Sequence, residues 1–128
     1  MTEHQIQSEY FKILAWNESK YPDLKYIFAI PNGGKRHIGV GVKMKREGVK
    51  RGVPDIFVPG MLEEENFVNI TIYLGLFLET KKPKGRQSKE QIEYAKHLQS
   101  KGYKYKVCYS VNELLDETEN YLQIKLSR

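Results

Sequence analysis

Three side chains near the middle of the chain are of the types that hydrolyse phosphodiester bonds. Asp55 in "GVPDIFVPG" and Glu79 in "GLFLETKKPKG" stand within or beside apolar runs, and Lys81 follows Glu79 by two residues. A carboxylate among apolar neighbours is costly to desolvate unless it reaches water, a cation or a metal ion. Two carboxylates that converge from neighbouring strands could therefore bind Mg²⁺ or Mn²⁺, which prefer oxygen ligands. Lys81 would share a strand face with Glu79 and would hold a water or a phosphate there.

The same carboxylates also have an ordinary structural explanation. Asp55 could serve as a cap or turn residue after Pro54, and Glu79 could pair with a nearby lysine. Residue types and spacing leave both explanations open. They differ in one expectation, because only a metal-dependent site requires Asp55, Glu79 and Lys81 to meet in one pocket.

Positive charge flanks both carboxylates. Residues 35–51 and residues 81–89 are rich in Lys and Arg, whereas acids concentrate at 63–65 and near the C-terminus. One lysine-rich stretch is usually a solvated surface, but two that flank the carboxylates favour an enzyme that binds a polyanion. Asn32 either orients a phosphate or occupies a turn. The candidate DNA contacts are Asn32, Lys35, Arg36, Lys43, Lys45, Arg46, Lys82 and Arg86.

Composition and charge limit the classes of protein to consider. At 128 residues, 40% of them hydrophobic, the chain is long enough for one domain with its own core, predicted over residues 1–128. The net charge of +5 is compatible with a polyanionic partner. Cys108 is the only cysteine, so no internal disulfide can form, and the histidine spacing predicts no zinc site. The polar N-terminus and the lack of a long apolar run predict a cytoplasmic protein without a membrane span.

Helices and strands alternate along the sequence, which predicts an α/β fold. Helical spacing predicts a first helix at 2–20 with Thr2 as its N-cap. A later helix at 88–102 begins at Ser88 and should bury a stripe of Ile92, Ala95 and Leu98. The order strand, helix, strand at 76–109 predicts a right-handed parallel crossover. The other predicted elements are a strand at 25–30, a turn at 31–34, a short helix ending at Gly48, a strand at 53–59, an acidic loop at 61–66, one long strand or two joined at Gly75 within 67–81, a strand at 103–110 and a helix at 111–124.

The motifs resemble those of a known group of nucleases. "PD" at 54–55 with "ETK" at 79–81 resembles the signature of the PD-(D/E)XK nuclease superfamily. The stretch "KGRQSKEQIEYAKHLQSKGY" at 84–103 is similar to the virus-type replication-repair branch of that superfamily, the VRR-NUC domain. "IPNGGKR" at 30–36 resembles a segment of phage members. The resemblance extends over nearly the whole chain and implies a restriction-endonuclease-like fold, with a central mixed β-sheet flanked by helices.

The resemblance also implies roles for individual residues. Asp55 and Glu79 would ligate the metal, and the backbone carbonyl of Thr80 would join them. Lys81 would be the catalytic lysine. Gln91 matches the glutamine of the helix that follows the motif and would lie beside the active site.

An acid from the first helix completes the active site in the family that the chain resembles. Glu3, in "TEHQIQ", fits the opening glutamate of the family better than Glu9 does. Both residues stay candidates at this point.

The residues and the resemblance together predict a Mg²⁺- or Mn²⁺-dependent DNA endonuclease. Small stand-alone members of the family resemble Holliday-junction resolvases that act as homodimers, so we expect branched DNA as substrate and a homodimer. A phage origin would place the protein in the host cytoplasm. Two alternatives stay open: a DNA-binding module without catalysis, and a restriction-like endonuclease that recognises a sequence. The short chain leaves little room for a base-reading extension, which favours recognition of DNA shape.

Overall fold

The fold is built on a four-stranded mixed β-sheet. The computed structural model describes residues 1–31 and 38–128. Its elements are α1 (Glu3–Asn17), a 3-10 helix (Pro22–Tyr26), β1 (Phe28–Ala29), α2 (Ile38–Arg46), β2 (Ile56–Glu65), β3 (Ile70–Thr80), α3 (Lys89–Ser100), β4 (Lys104–Cys108) and α4 (Val111–Leu122). The strands lie in the order β1-β2-β3-β4. The first two pairings are antiparallel, and β4 lies parallel to β3, with α3 between them along the chain. The predicted α/β class and parallel crossover are confirmed.

One face of the sheet carries the hydrophobic core. Its fully or almost fully buried residues are Ile56 and Val58 of β2, Leu76 and Leu78 of β3, and Ile6, Tyr10, Leu14, Leu114 and Leu115 of α1 and α4. Side chains alternate between the two faces of a strand. The residues that lie next to the core positions, Asp55, Phe57, Phe77 and Glu79, therefore face the opposite side.

Aromatic rings cover part of that opposite face. Phe57 packs against Phe28 with ring centroids 5.7 Å apart and against Phe77 with centroids 4.6 Å apart. Tyr103 contacts Phe77 edge-on at 5.2 Å. The rings bury apolar area beside the row of the sheet that contains Asp55 and Glu79, which keeps water from that side of the carboxylates.

The far ends of β2 and β3 form a two-stranded ribbon. Within the described residues, 62–65 and 70–73 pair only with one another, because β1 pairs only with Ile56 and Phe57 and β4 pairs only from Leu76 onwards. Phe67, Val68, Ile70 and Ile72 are exposed on this ribbon. The ribbon thus combines exposed apolar side chains with unpaired strand edges.

The predicted N-caps of two helices, Thr2 and Ser88, are confirmed. The Thr2 hydroxyl accepts a hydrogen bond from the Gln5 amide at 3.1 Å, and the Ser88 hydroxyl accepts one from the Gln91 amide at 3.1 Å. Each forms a capping box that satisfies amides at the start of its helix. Gly102, at φ 95°, follows the end of α3 as predicted.

Two predictions near the N-terminus were wrong in extent. α1 ends at Asn17 and not at residue 20, and the strand predicted at 25–30 is only Phe28–Ala29. Pro22 occupies the first turn of a 3-10 helix that buries Leu24 and takes up the residues before the strand. The turn predicted at 31–34 lies largely outside the described residues.

Two further predictions were wrong: the acidic loop after the strand at 53–59, and the burial of Ile92. The acidic loop predicted at 61–66 is instead part of β2 as far as Glu65, since the backbone of residues 62–65 pairs with β3 and the side chains of Glu63, Glu64 and Glu65 are exposed. Ile92 is 43% exposed, so only Ala95 and Leu98 of the predicted stripe are buried. Among the described residues, no helix is both long and apolar enough to cross a bilayer.

Gly52 fixes how the loop before β2 meets the start of α3. Its φ is 83°, and a Cβ atom there would lie 2.5 Å from the Glu90 carbonyl oxygen. We expect Gly52→Ala to lower the free energy of unfolding by about 2–4 kcal/mol, from the left-handed backbone and the clash together. Denaturant unfolding measures this.

Gly48→Ala is the matched control for that substitution. Gly48 has a similar φ of 94°, but a Cβ atom there would meet nothing within 4 Å. Gly48→Ala should therefore lower the free energy of unfolding only through the left-handed backbone, without a contribution from a clash. Equal losses for the two variants would contradict the contact between Gly52 and Glu90.

Candidate active site

Strand pairing brings Asp55 and Glu79 together. The Asp55 amide donates a hydrogen bond to the Leu78 carbonyl at 3.1 Å, which continues the β2–β3 pairing by one residue and sets Asp55 opposite Glu79. The Thr80 amide donates to Asp55 Oδ2 at 2.8 Å. The Asp55 carboxylate is therefore oriented by a backbone amide of β3, the strand that carries Glu79, and this contact involves no side chain of β3.

Glu79 is buried, and no described residue offers it a compensating hydrogen bond. Its exposed fraction is 0%, and neither carboxyl oxygen has a hydrogen-bond partner within the described residues. Burial raises the pKa of Glu79 far above the ordinary carboxylate range, and the neighbouring Asp55 raises it further. An unsatisfied buried carboxyl is costly to stability, and such groups in native proteins often serve a function.

Lys81 supplies a buried positive charge to the same cluster. Its exposed fraction is 8%, and its charge opposes the rise in the pKa of Glu79. The Lys81 amide donates to the Cys108 carbonyl at 2.9 Å, so β4 holds the backbone where β3 ends. None of the ion pairs found between described residues includes Lys81. None of them includes Glu79 either, so an ion pair of Glu79 with a nearby lysine is not found among the described residues.

The donor set of this cluster fits a magnesium-type ion. No group of three or more His, Cys, Asp and Glu side chains is arranged around a common point within residues 1–31 and 38–128. Mg²⁺ commonly binds one or two carboxylates and takes its other ligands from water and substrate phosphates. A cation beside the two oxygens of Glu79, which have no hydrogen-bond partner within the described residues, would stabilise the ionised carboxylate that burial disfavours. The part of the Thr80 carbonyl stays a prediction.

The first helix contributes Glu3 to the electrostatics of the cluster. Glu3 begins α1 and is exposed, and its charge is among those that raise the pKa of Glu79. Glu9 lies further along α1 and is not among those charges. Of the two acids that the sequence leaves open, Glu3 is the one whose charge acts on the cluster.

Gln91 has a structural bond of its own. Its side-chain carbonyl accepts a hydrogen bond from the Ser88 amide at 2.8 Å, as part of the capping box of α3. Its backbone nitrogen lies against Gly52, three residues before Asp55. Gln91 thus helps to fix the start of α3 against the loop that carries Asp55, and a direct role at the cluster stays a prediction.

The basic candidates divide into three groups. Lys82 and Arg86 are exposed and follow Lys81 directly. Lys43, Lys45 and Arg46 are exposed in the last turn of α2. Asn32, Lys35 and Arg36 lie outside the described residues.

Sequence analysis missed Tyr105 and Gln87. Tyr105 pairs with Phe77 in the sheet, and Gln87 Nε2 donates a hydrogen bond to its hydroxyl at 2.7 Å. Burial raises the pKa of Tyr105, and so do the nearby charges of Glu79 and Asp55. The alternation of "YKYKVC" places Tyr105 on one face of β4, but only the register with β3 shows that this is the face of Glu79.

Comparison with known proteins gives a match to a family model and a match to a solved structure. The family model of the VRR-NUC domain matches residues 13–112. A solved structure described as a VRR_NUC domain protein is 23% identical to the chain, with a TM-score of 0.69. The alignment covers 98% of this chain and 91% of the other, and at this identity it shows a shared fold. No curated protein matches the sequence.

Proposed function

Because the chain belongs to the VRR-NUC domain family, a family of nucleases, we propose that it is a divalent-metal-dependent DNA endonuclease that prefers branched DNA. The observation that carries this proposal is the buried Glu79 carboxyl, which has no hydrogen-bond partner within the described residues and lies beside Asp55 and Lys81. Such a group calls for an explanation, and a bound cation would provide one.

Each residue of the cluster has a distinct task in this proposal. Asp55 and Glu79 would hold Mg²⁺ or Mn²⁺, with the Thr80 carbonyl as a further ligand. When bound, the ion would act as a Lewis acid that lowers the pKa of a coordinated water molecule and offsets negative charge on phosphoryl oxygens. Lys81 positions the attacking water or neutralises a phosphate oxygen, and its burial keeps its charge from being screened by solvent.

Branched DNA is favoured by the way in which the surface is charged. The exposed cations near the cluster suit phosphate contacts, which fix position without reading sequence. A homodimer would present two such clusters to symmetry-related strands of a four-way junction.

A cleavage panel tests the proposal. The substrates are a flap, a fork, a four-way junction and a linear duplex of the same sequence, each with Mg²⁺, Mn²⁺ or a chelator. We expect cleavage of at least one branched substrate with metal, little cleavage of the duplex and none with chelator, because the proposed chemistry needs a cation beside the Glu79 carboxyl.

The other possible outcomes separate the alternatives. Metal-independent binding without any cleavage would support a DNA-binding module without catalysis. Efficient cleavage of the linear duplex at a defined sequence would support a restriction-like endonuclease. Either outcome would contradict the proposal.

A further inference from the structure

The segment between the cluster and α3 concentrates exposed positive charge. Residues 82–87, here called the basic turn, connect Lys81 to Ser88, the N-cap of α3. Lys82, Lys84 and Arg86 are exposed in it, and it contains neither helix nor strand. A segment of this kind would ordinarily sample many conformations, and its cations would bind a strand of DNA only at an entropic cost.

The backbone of the basic turn nevertheless has a defined conformation. The Gly85 amide donates to the Lys82 carbonyl at 2.8 Å, which closes a turn with Pro83 and Lys84 at its centre. Lys84 has a φ of 65°, a value at which glycine or asparagine is the usual residue. The turn therefore keeps a long cationic side chain where a small residue would be less strained, which indicates a use for the charge.

Two contacts hold the basic turn against the sheet. A Cβ atom at Gly85 would lie 3.5 Å from the Cβ of Lys81, so the turn packs closely against the buried lysine. At its other end, Gln87 Nε2 donates to the Tyr105 hydroxyl at 2.7 Å. Both partners of that bond are partly buried, so water competes with it less than at an open surface.

The Gln87–Tyr105 bond links the basic turn to the floor of the cluster. Tyr105 lies on β4 opposite Phe77, two residues before Val107, which pairs with Glu79. Tyr105 and Val107 are therefore on the same face of β4. A contact to Tyr105 therefore fixes the basic turn relative to Glu79 through the rigid sheet.

We propose that Gln87 and Tyr105 are positioning residues, whose hydrogen bond holds Lys82, Lys84 and Arg86 in place to bind the phosphates of the DNA strand that enters the Asp55–Glu79–Lys81 cluster. This inference rests on the proposed function, since it assumes DNA as the ligand. It adds that affinity depends on an ordered basic turn and not on its charges alone. The conformational entropy of the basic turn is then lost during folding, and DNA binding does not have to order the turn.

The test combines substitutions that remove the bond with one that removes a neighbouring hydroxyl. Tyr105→Phe and Gln87→Ala each delete the bond without changing the net charge. Tyr103→Phe is the matched control, because Tyr103 shares the aromatic face but does not bond to Gln87. Lys84→Ala serves as the reference for loss of a charge from the turn.

Two measurements are made on each variant. Hydrogen exchange of the peptide that covers residues 82–88 reports the order of the basic turn without DNA. Binding of a fluorescent four-way junction and of a linear duplex, in chelator so that no cleavage occurs, reports affinity and its dependence on salt.

We expect Tyr105→Phe and Gln87→Ala to speed exchange in the basic turn and to weaken DNA binding by about threefold to tenfold, the range for loss of one hydrogen bond. The double variant should be no worse than either single one, since both delete the same bond. The salt slope of Tyr105→Phe should approach that of Lys84→Ala, and Tyr103→Phe should match the unsubstituted protein.

Different failures are distinguishable. If hydrogen exchange of residues 82–88 is unchanged in both Tyr105→Phe and Gln87→Ala, the bond does not order the basic turn and the inference is wrong. Faster exchange with unchanged DNA affinity would overturn the role in phosphate binding. If the unsubstituted protein binds neither DNA, the proposed function fails as well, whereas binding without cleavage in the presence of metal would leave this inference standing and refute only the nuclease.

Discussion

Lys81→Ala is expected to lower kcat for DNA cleavage by about a hundredfold to a thousandfold while DNA affinity changes little. Lys81 is 8% exposed and its charge acts on Glu79, so in the proposed function it acts within the cluster and contributes little to the surface that meets DNA from solution. Affinity for DNA should instead depend on exposed cations such as Lys82. Removal of Lys82 is expected to lower this affinity and to make it less sensitive to salt concentration. Single-turnover cleavage at saturating DNA, together with a binding titration, separates the two effects.

A lysine elsewhere on the surface controls for the loss of one charge. Lys96 is exposed on α3, and Lys96→Ala should leave both kcat and affinity near those of the unsubstituted protein. If Lys81→Ala cleaved as fast as the unsubstituted protein, Lys81 would have no catalytic part.

Glu79→Gln should abolish metal-dependent cleavage and, at the same time, stabilise the metal-free protein at neutral pH. The pKa of Glu79 is raised in the folded state above its ordinary value of 4.5, chiefly by burial. Above pH 4.5 the unfolded chain releases this proton while the folded protein retains it, so the folded protein binds more protons. Stability therefore falls as pH rises, by up to about 1.4 kcal/mol per pH unit for one group.

Glutamine has nearly the same shape but does not ionise, so Glu79→Gln removes this loss. We expect the variant to gain about 1–3 kcal/mol at pH 7 relative to the unsubstituted protein, and the gain to disappear near pH 4, where the carboxyl is protonated in both states. Chemical denaturation across pH, in the presence of chelator, measures the gain.

Added Mg²⁺ should reverse the order of stability. The ion would raise the melting temperature of the unsubstituted protein, because it binds only the folded state, and should leave Glu79→Gln nearly unchanged. Glu93→Gln, at an exposed position on α3, is the control and should show neither the pH-dependent gain nor an altered response to Mg²⁺. A pH-independent difference between Glu79→Gln and the unsubstituted protein would contradict the buried, proton-retaining carboxyl.

The sequence predicted the parts of the fold that local chemistry determines. The caps at Thr2 and Ser88 have side chains that satisfy helix amides, and the order of strand, helix and strand permits only one common crossover. The facing positions of Asp55 and Glu79 could also be expected, since each carboxylate interrupts an apolar strand pattern. The caps depend on residues close together in the chain, whereas the meeting of Asp55 and Glu79, on separate strands, followed from the hypothesis that both bind one metal ion.

The features that sequence analysis missed depend on distant parts of the chain. Glu63 to Glu65 continue β2 because β3 pairs with their backbone, and an acidic composition does not reveal a pairing partner. Ile92 repeats at helical spacing, yet the first turn of α3 packs through its backbone on Gly52 and leaves that side chain exposed. Tyr105 became a site residue only through its register with β3.

The bare ribbon formed by β2 and β3 has a consequence for the protein in concentrated solution. Unpaired strand edges with exposed Ile70, Ile72 and Val68 can template the addition of further chains into fibrous aggregates. Glu63 to Glu65 lie on the same ribbon, and two ribbons that approach each other must bring these negative charges together. We therefore expect the acidic run to oppose polymerisation at a ribbon whose edges pair with no further strand among the described residues.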